Sequence, residues 1–139
     1  MRAYLDGQAY NRGRSKQKGG IIVLDVKDSV NRLAWTTEHH FLHVQARHDF
    51  MRAWAVQFEM AYTDFRVIQM ALQLGGEQYH DLLKRFAAAY EAVYAYEYAF
   101  AAGGLAGFDE QFADKMADYQ TAEQTLLKII DEIKALQPA

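Results

Sequence analysis

From Ile21 to Leu74 the chain contains neither glycine nor proline. These are the residues that break helices most strongly, so this run has no built-in stopping point. Glycines fall instead at positions 7, 13, 19, 20, 75, 76, 103, 104 and 107, and the single proline is Pro138. The pairs Gly19-Gly20 and Gly75-Gly76 therefore bracket the dominant structural unit of the chain.

Within that run, Thr37, Phe41, Val44, His48, Met51, Ala55, Phe58, Tyr62, Phe65, Gln69 and Leu72 are spaced alternately by four and three. That spacing is the seam of a supercoiling helix. Every seventh residue from Glu38 (Glu38, Gln45, Arg52, Glu59, Arg66, Gln73) is polar, which marks one solvated stripe. Trp35, Leu42, Phe50, Trp54 and Met60 form a second apolar strip away from the seam. The pattern predicts one helix over 38–74, about 37 residues or roughly 55 Å long. Being apolar on two sides, it needs partners on both.

Gly75-Gly76 ends that helix. A second helix is predicted over 77–101, with the seam Tyr79, Leu83, Phe86, Tyr90, Val93, Glu97, Phe100, and the run "GGLAG" stops it. Asp109 reads as the N-cap of a third helix over 110–136, with the seam Phe112, Tyr119, Ala122, Leu126, Ile129, Ile133, Leu136. Short glycine turns make the three long helices antiparallel neighbours, and the first overhangs the others by roughly 15 Å.

Before the run, Asp6-Gly7 between short aromatic flanks is a hairpin signal. "NRGRSKQKGG" reads as a polar linker, and the apolar, β-branched "IIVLDV" (21–26) as a strand. Residues 28–36 fit either a returning strand, with Thr36 or Thr37 capping the helix behind it, or a helix that begins at Asp28 or Ser29. The chain divides into a basic arm, 1–20, and a single helical domain, 21–139, led by the strand. The fold class is mainly α with a small N-terminal β element.

At 139 residues, the chain can bury a substantial core as one domain. It has no cysteine, so disulfides and thiolate metal sites are excluded. No apolar leader is visible at the N-terminus, and the expected location is cytoplasmic or otherwise intracellular. The apolar stretch 86–107 contains Glu91 and Glu97, which point to different sides of a helix. At about 2.5–3.5 kcal/mol each in a bilayer centre, they argue against a membrane span.

Charge is unevenly placed. Arg2, Arg12, Arg14, Lys16 and Lys18 against Asp6 give residues 1–20 a local +4, and the remainder of the chain carries −7. Such an arm can grip phosphates through Arg12, Arg14, Lys16 and Lys18, or lie on the acidic body of a neighbouring copy.

Four of the five histidines lie in "WTTEHHFLHVQARHDF" (35–50). On a helix, His39 and His43, four apart, or His40 and His43, three apart, can share a metal ion, with His80 and Glu77 of "EQYH" as further donors. The dinuclear carboxylate pattern requires a second Glu-x-x-His, which the sequence lacks. Without metal, the same histidines form a pH-sensitive contact near their usual pKa of about 6.5. Tyr90, Tyr94 and Tyr98 make one ridge flanked by Glu91 and Glu97, which suits a protein interface better than a nucleic acid. No GxSxG, phosphate loop or GxGxxG is present.

These features point to a non-enzymatic assembly or adaptor protein. It would form a homo-oligomer, or bind another protein, through Trp35, Leu42, Phe50, Trp54, Met60, Tyr90, Tyr94 and Tyr98, without a cofactor. Nucleic-acid binding by the arm, and metal binding by His39, His43 and His80, are the alternatives.

Overall fold

The computed structural model describes residues 25–138. Among these residues four helices follow one another: α1 (Lys27–Gln45), α2 (Trp54–Leu74), α3 (His80–Phe112) and α4 (Met116–Lys134). A 3-10 turn at Glu77–Tyr79 leads into α3. The fold is mainly α, as the periodicity requires. The basic arm and the Asp6-Gly7 hairpin lie outside the described residues, as does the strand expected at 21–26 except for Asp25 and Val26, which are not in a strand. The open segment 28–36 is helical.

Each helix packs on the next, and α4 closes back on α1. Pairwise contacts set the directions. Arg32 meets Asp64 while His43 meets Trp54, so α1 and α2 are antiparallel. Phe65 packs on Phe86 and Trp54 on Phe100, which reverses α3 against α2. Arg85 pairs with Glu132 and Tyr96 stacks on Tyr119, so α4 runs against α3. Val26 N–H donates to the Gln137 carboxamide and Phe41 meets Tyr119, so α4 is also antiparallel to α1. The result is an up-down-up-down four-helix bundle.

The predicted seams of the last two helices are its core. Phe86, Tyr90, Val93, Glu97 and Phe100 of α3 are buried, as are Tyr119, Leu126, Ile129 and Ile133 of α4. All six stripe residues from Glu38 to Gln73 are exposed.

The continuous helix over 38–74 does not form. It breaks at residues 46–53, and what should overhang folds back as a helical hairpin. His48 and Phe50 therefore lie in a loop rather than on a helix face. The loop is held from outside. Arg47, with φ 64°, donates two hydrogen bonds to Asp109, at 2.9 and 2.7 Å. Asp49 accepts the Phe50 N–H at 2.9 Å and the Leu105 N–H at 2.8 Å. Phe50 packs edge-on to Phe100.

The other end of this latch is a break in α3. Gly104 takes φ 67° and ψ −159°, which a side chain resists. The 105–112 segment then turns back along the helix, with Gly107 against the Ala99 carbonyl and Phe112 on Tyr96. The second helix thus breaks at Gly104, within the GGLAG run expected to stop it, a short helical segment follows over 105–112, and the last helix starts at Met116 rather than 110. Asp109 is not an N-cap: its carboxylate is taken by Arg47. The cap at Leu105 comes from Asp49, far away in sequence.

A Cβ at Gly104 would lie 2.7 Å from Asp49 Oδ1, on a backbone already left-handed. We expect Gly104→Ala to cost about 1–3 kcal/mol by urea denaturation. Asp49→Ala should lower stability in the same assay through the lost cap. Values near zero for both would show that the latch does not hold the bundle end.

Candidate functional site

Of the neighbouring helix pairs, α2 and α3 are the least closely packed. A groove of about 1030 Å³ opens between them. Its α2 wall includes Phe58, Tyr62, Phe65 and Arg66, and its α3 wall includes Tyr90, Tyr94, Glu97 and Tyr98. The spacing of four places Tyr90, Tyr94 and Tyr98 in one row along α3. Their ring centroids follow at 6.1 and 6.0 Å. Tyr90 is buried, stacked on Phe65 at 4.1 Å with planes 8° apart. Tyr94 and Tyr98 are 45% and 59% exposed, and Tyr62 faces them across the groove at 46%. Arg66 donates to the Tyr62 hydroxyl at 3.0 Å, its guanidinium 5.9 Å from that ring's centroid.

Glu97 lies on the floor. It occupies a seam position of α3, so the helix directs it inward, and it is 4% exposed. Among the described residues no hydrogen bond or ion pair engages its carboxylate. Burial pushes its pKa up to about 8. Burial, with the Glu97 charge behind it, raises the pKa of the Tyr90 and Tyr119 hydroxyls as well. Glu123, buried in α4, is also raised by burial, with a smaller push from Glu38.

A carboxyl whose pKa is higher folded than unfolded favours folding while it is protonated. Its contribution is complete below the ordinary carboxyl pKa of about 4.3 and is lost as pH rises through about 8. We therefore expect Glu97→Gln to gain stability over the parent chain, in urea, as pH is raised from 5 to 9. A constant difference across that range would contradict this environment for Glu97.

The histidine cluster takes a different shape from a metal site. His43 Nε2 lies 3.0 Å from His39 Nε2, and His43 Nδ1 lies 2.9 Å from His48 Nδ1. His43 thus uses opposite edges of its ring, and the three imidazoles form a chain rather than converging on one point. Neutral tautomers satisfy both contacts. Protonating adjacent rings sets N–H against N–H, and burial with the neighbouring imidazoles lowers the His43 pKa.

Trp35 stacks on His39 at 4.2 Å, and Trp54 lies on His43 at 4.1 Å. His80 and Glu77 sit at the Gly75-Gly76 turn, at the far end of α2 from Trp54, about 30 Å along that helix. The structure does not bring them to His39 and His43. Among the described residues no group of three or more His, Asp or Glu side chains is placed to hold one metal ion.

His40, whose spacing of three from His43 also suits a shared metal ion, is instead the fully buried member of the cluster. It stacks on Phe58 at 4.1 Å, and neither ring nitrogen has a hydrogen-bond partner among the described residues. The Gln57 carboxamide lies beside it without meeting hydrogen-bond geometry. Burial lowers its pKa to about 4, with the neighbouring histidines adding to the effect. The signal was available: His40 falls on the inward face between Thr37 and Val44. A depressed histidine stabilises the fold fully above about 6.5 and loses that contribution as pH falls through about 4. Between pH 7 and 4 the parent chain should lose about 3 kcal/mol that His40→Leu does not lose. Equal acid losses in urea would contradict a neutral buried His40.

The expected interface residues separate into two groups. Trp54 and Tyr90 are core, and Phe50 is half-buried against Trp54 and Phe100. Trp35, Leu42, Met60, Tyr94 and Tyr98 are exposed. Arg12, Arg14, Lys16 and Lys18 lie outside the described residues. No helix among the described residues is long and apolar enough to cross a membrane. Comparison with protein-family models, with curated proteins and with solved structures gives no match.

Proposed function

We propose that the protein is a non-enzymatic assembly module that associates with a second copy of itself through the outer face of α2. One observation carries this reading. Val56, Met60, Thr63, Val67, Met70 and Leu74 follow one another at intervals of four and three along the side of α2 that faces away from the core. Val56, Met60, Met70 and Leu74 are 59%, 41%, 48% and 63% exposed, and Val67 is half-buried.

Buried positions of the same helix (Trp54, Ala61, Phe65, Ile68, Leu72) already serve the bundle, so this is a second seam. A seam repeating every 3.5 residues fits another helix, because each side chain enters a hole between four residues of the facing one. The same seam on a second copy makes a self-complementary contact about a two-fold axis. The charge split between a basic arm and an acidic body favours the same pairing. Scattered exposed apolar residues need no explanation, but a row of five along one helix face, interrupted only at Thr63, does.

The seam differs from the second apolar strip (Trp35, Leu42, Phe50, Trp54, Met60) expected of a continuous 38–74 helix. It uses α2 alone, and Met60 is the residue the two share. In light scattering at micromolar concentration the parent chain should have twice the monomer mass. Met60→Glu with Met70→Glu should have the monomer mass with unchanged helicity. A parent chain that is monomeric throughout would remove the proposal. Loss of the dimer on deleting residues 1–20, with the Met60/Met70 variant still dimeric, would move the interface to the arm.

A further inference from the structure

We propose that the groove between α2 and α3 is a binding site for an organic cation, a primary ammonium or guanidinium group carried on an unbranched chain. Glu97 would be its counter-ion and Tyr62, Tyr94 and Tyr98 its walls. A buried carboxylate is retained in a fold when something pairs with it, since desolvation otherwise penalises the ionised form heavily. Glu97 is buried, it lines the groove, and no cation or hydrogen-bond donor among the described residues engages it. What it lacks is a positive group arriving from the groove side.

The walls suit the same ligand. Tyrosine faces carry negative electrostatic potential and attract ammonium and guanidinium groups, more strongly where water is excluded. The groove already shows this preference, because Arg66 keeps its guanidinium near the Tyr62 ring. Among the described residues Arg66 is the one basic side chain lining the groove, and Glu59 and Glu91 at the rim outnumber it. An anion would therefore meet acidic groups at the entrance and floor. A volume of about 1030 Å³ is at the upper end for ligand pockets. It accommodates the carbon chain behind the head group as well as the head itself, and a chain without branches passes most easily between the rings to Glu97.

Pairing with the cation requires Glu97 to be ionised. Binding near neutral pH therefore draws off its proton, and up to one proton is released per site. The site and the self-association seam are separable, because Glu97 can be changed without touching Met60 or Met70.

The test is calorimetric titration of the full chain at pH 7 with n-butylammonium and n-butylguanidinium, and with n-butanol as the neutral control. Repeating it in buffers of different ionisation enthalpy measures the proton released. We expect saturable binding of the cations with proton release, at least tenfold weaker in Glu97→Gln and in Tyr94→Ala, and none of n-butanol. A full chain with Arg12, Arg14, Lys16 and Lys18 replaced by alanine identifies the natural source of the cation. Binding equal to that of the parent chain points to a free ligand. Binding gained or strengthened only in this variant shows that the chain's own arm supplies the cation. Either result supports the site. Cation binding in neither chain, binding unchanged by Glu97→Gln, or equal binding of n-butanol would overturn it.

Discussion

The bundle depends on a latch between two places where the chain departs from helix. Arg47 clasps Asp109, and Asp49 caps Leu105 just beyond the left-handed Gly104. Neither contact is strong alone, since an exposed ion pair is screened by solvent and a single cap satisfies only one backbone donor. Their importance is geometric. They fix the reversal between α1 and α2 against the reversal after α3, so a stretch able to form one long rod becomes two antiparallel helices. The bidentate Arg32–Asp64 pair then ties the hairpin at mid-height, with Asp64 buried.

Both functional proposals descend from that folding back. Once α1 lies along α2, the inward face of α2 is taken up by α1 and α3, and its outer row from Val56 to Leu74 is left without a partner among the described residues. The approach of α3 is governed by large aromatic rings, Phe65 on Tyr90 above all, which seat the two helices together at one level. The groove with Glu97 on its floor opens between that level and the Trp54–Phe100 contact. A tighter α2–α3 contact would close the groove and leave the carboxyl no access to a partner.

Much of this was legible in the sequence. Gly75-Gly76 stops α2 where expected, because Gly76 adopts a φ of 98° that favours glycine. The α3 and α4 seams are buried because an amphipathic helix must bury its apolar stripe. The tyrosine row was visible from its spacing of four, and Glu97 stood out as a carboxylate on a seam. The break at 46–53 was not legible, for two reasons. It uses no glycine or proline, since Arg47 takes the left-handed position itself. It also preserves phase: Thr37, Val44, Phe58, Phe65 and Leu72 stay on one seven-residue grid on both sides of the loop. Periodicity cannot detect an interruption that keeps the count. The start of α4 was missed because Asp109 resembles a cap, and only tertiary structure shows its carboxylate committed to Arg47.

The folded-back hairpin is the central claim, and the absence of cysteine makes it directly measurable. Spin labels on cysteines introduced at the exposed Asp28 and Gln73 would report one distance. In the hairpin the two positions lie near the same end of the bundle, and adjacent helix axes are about 8–10 Å apart, so the labels should be within roughly 25 Å. In an uninterrupted helix they would be separated by about 65 Å. A dominant short distance is the expected result; a dominant distance near the longer value would contradict the account.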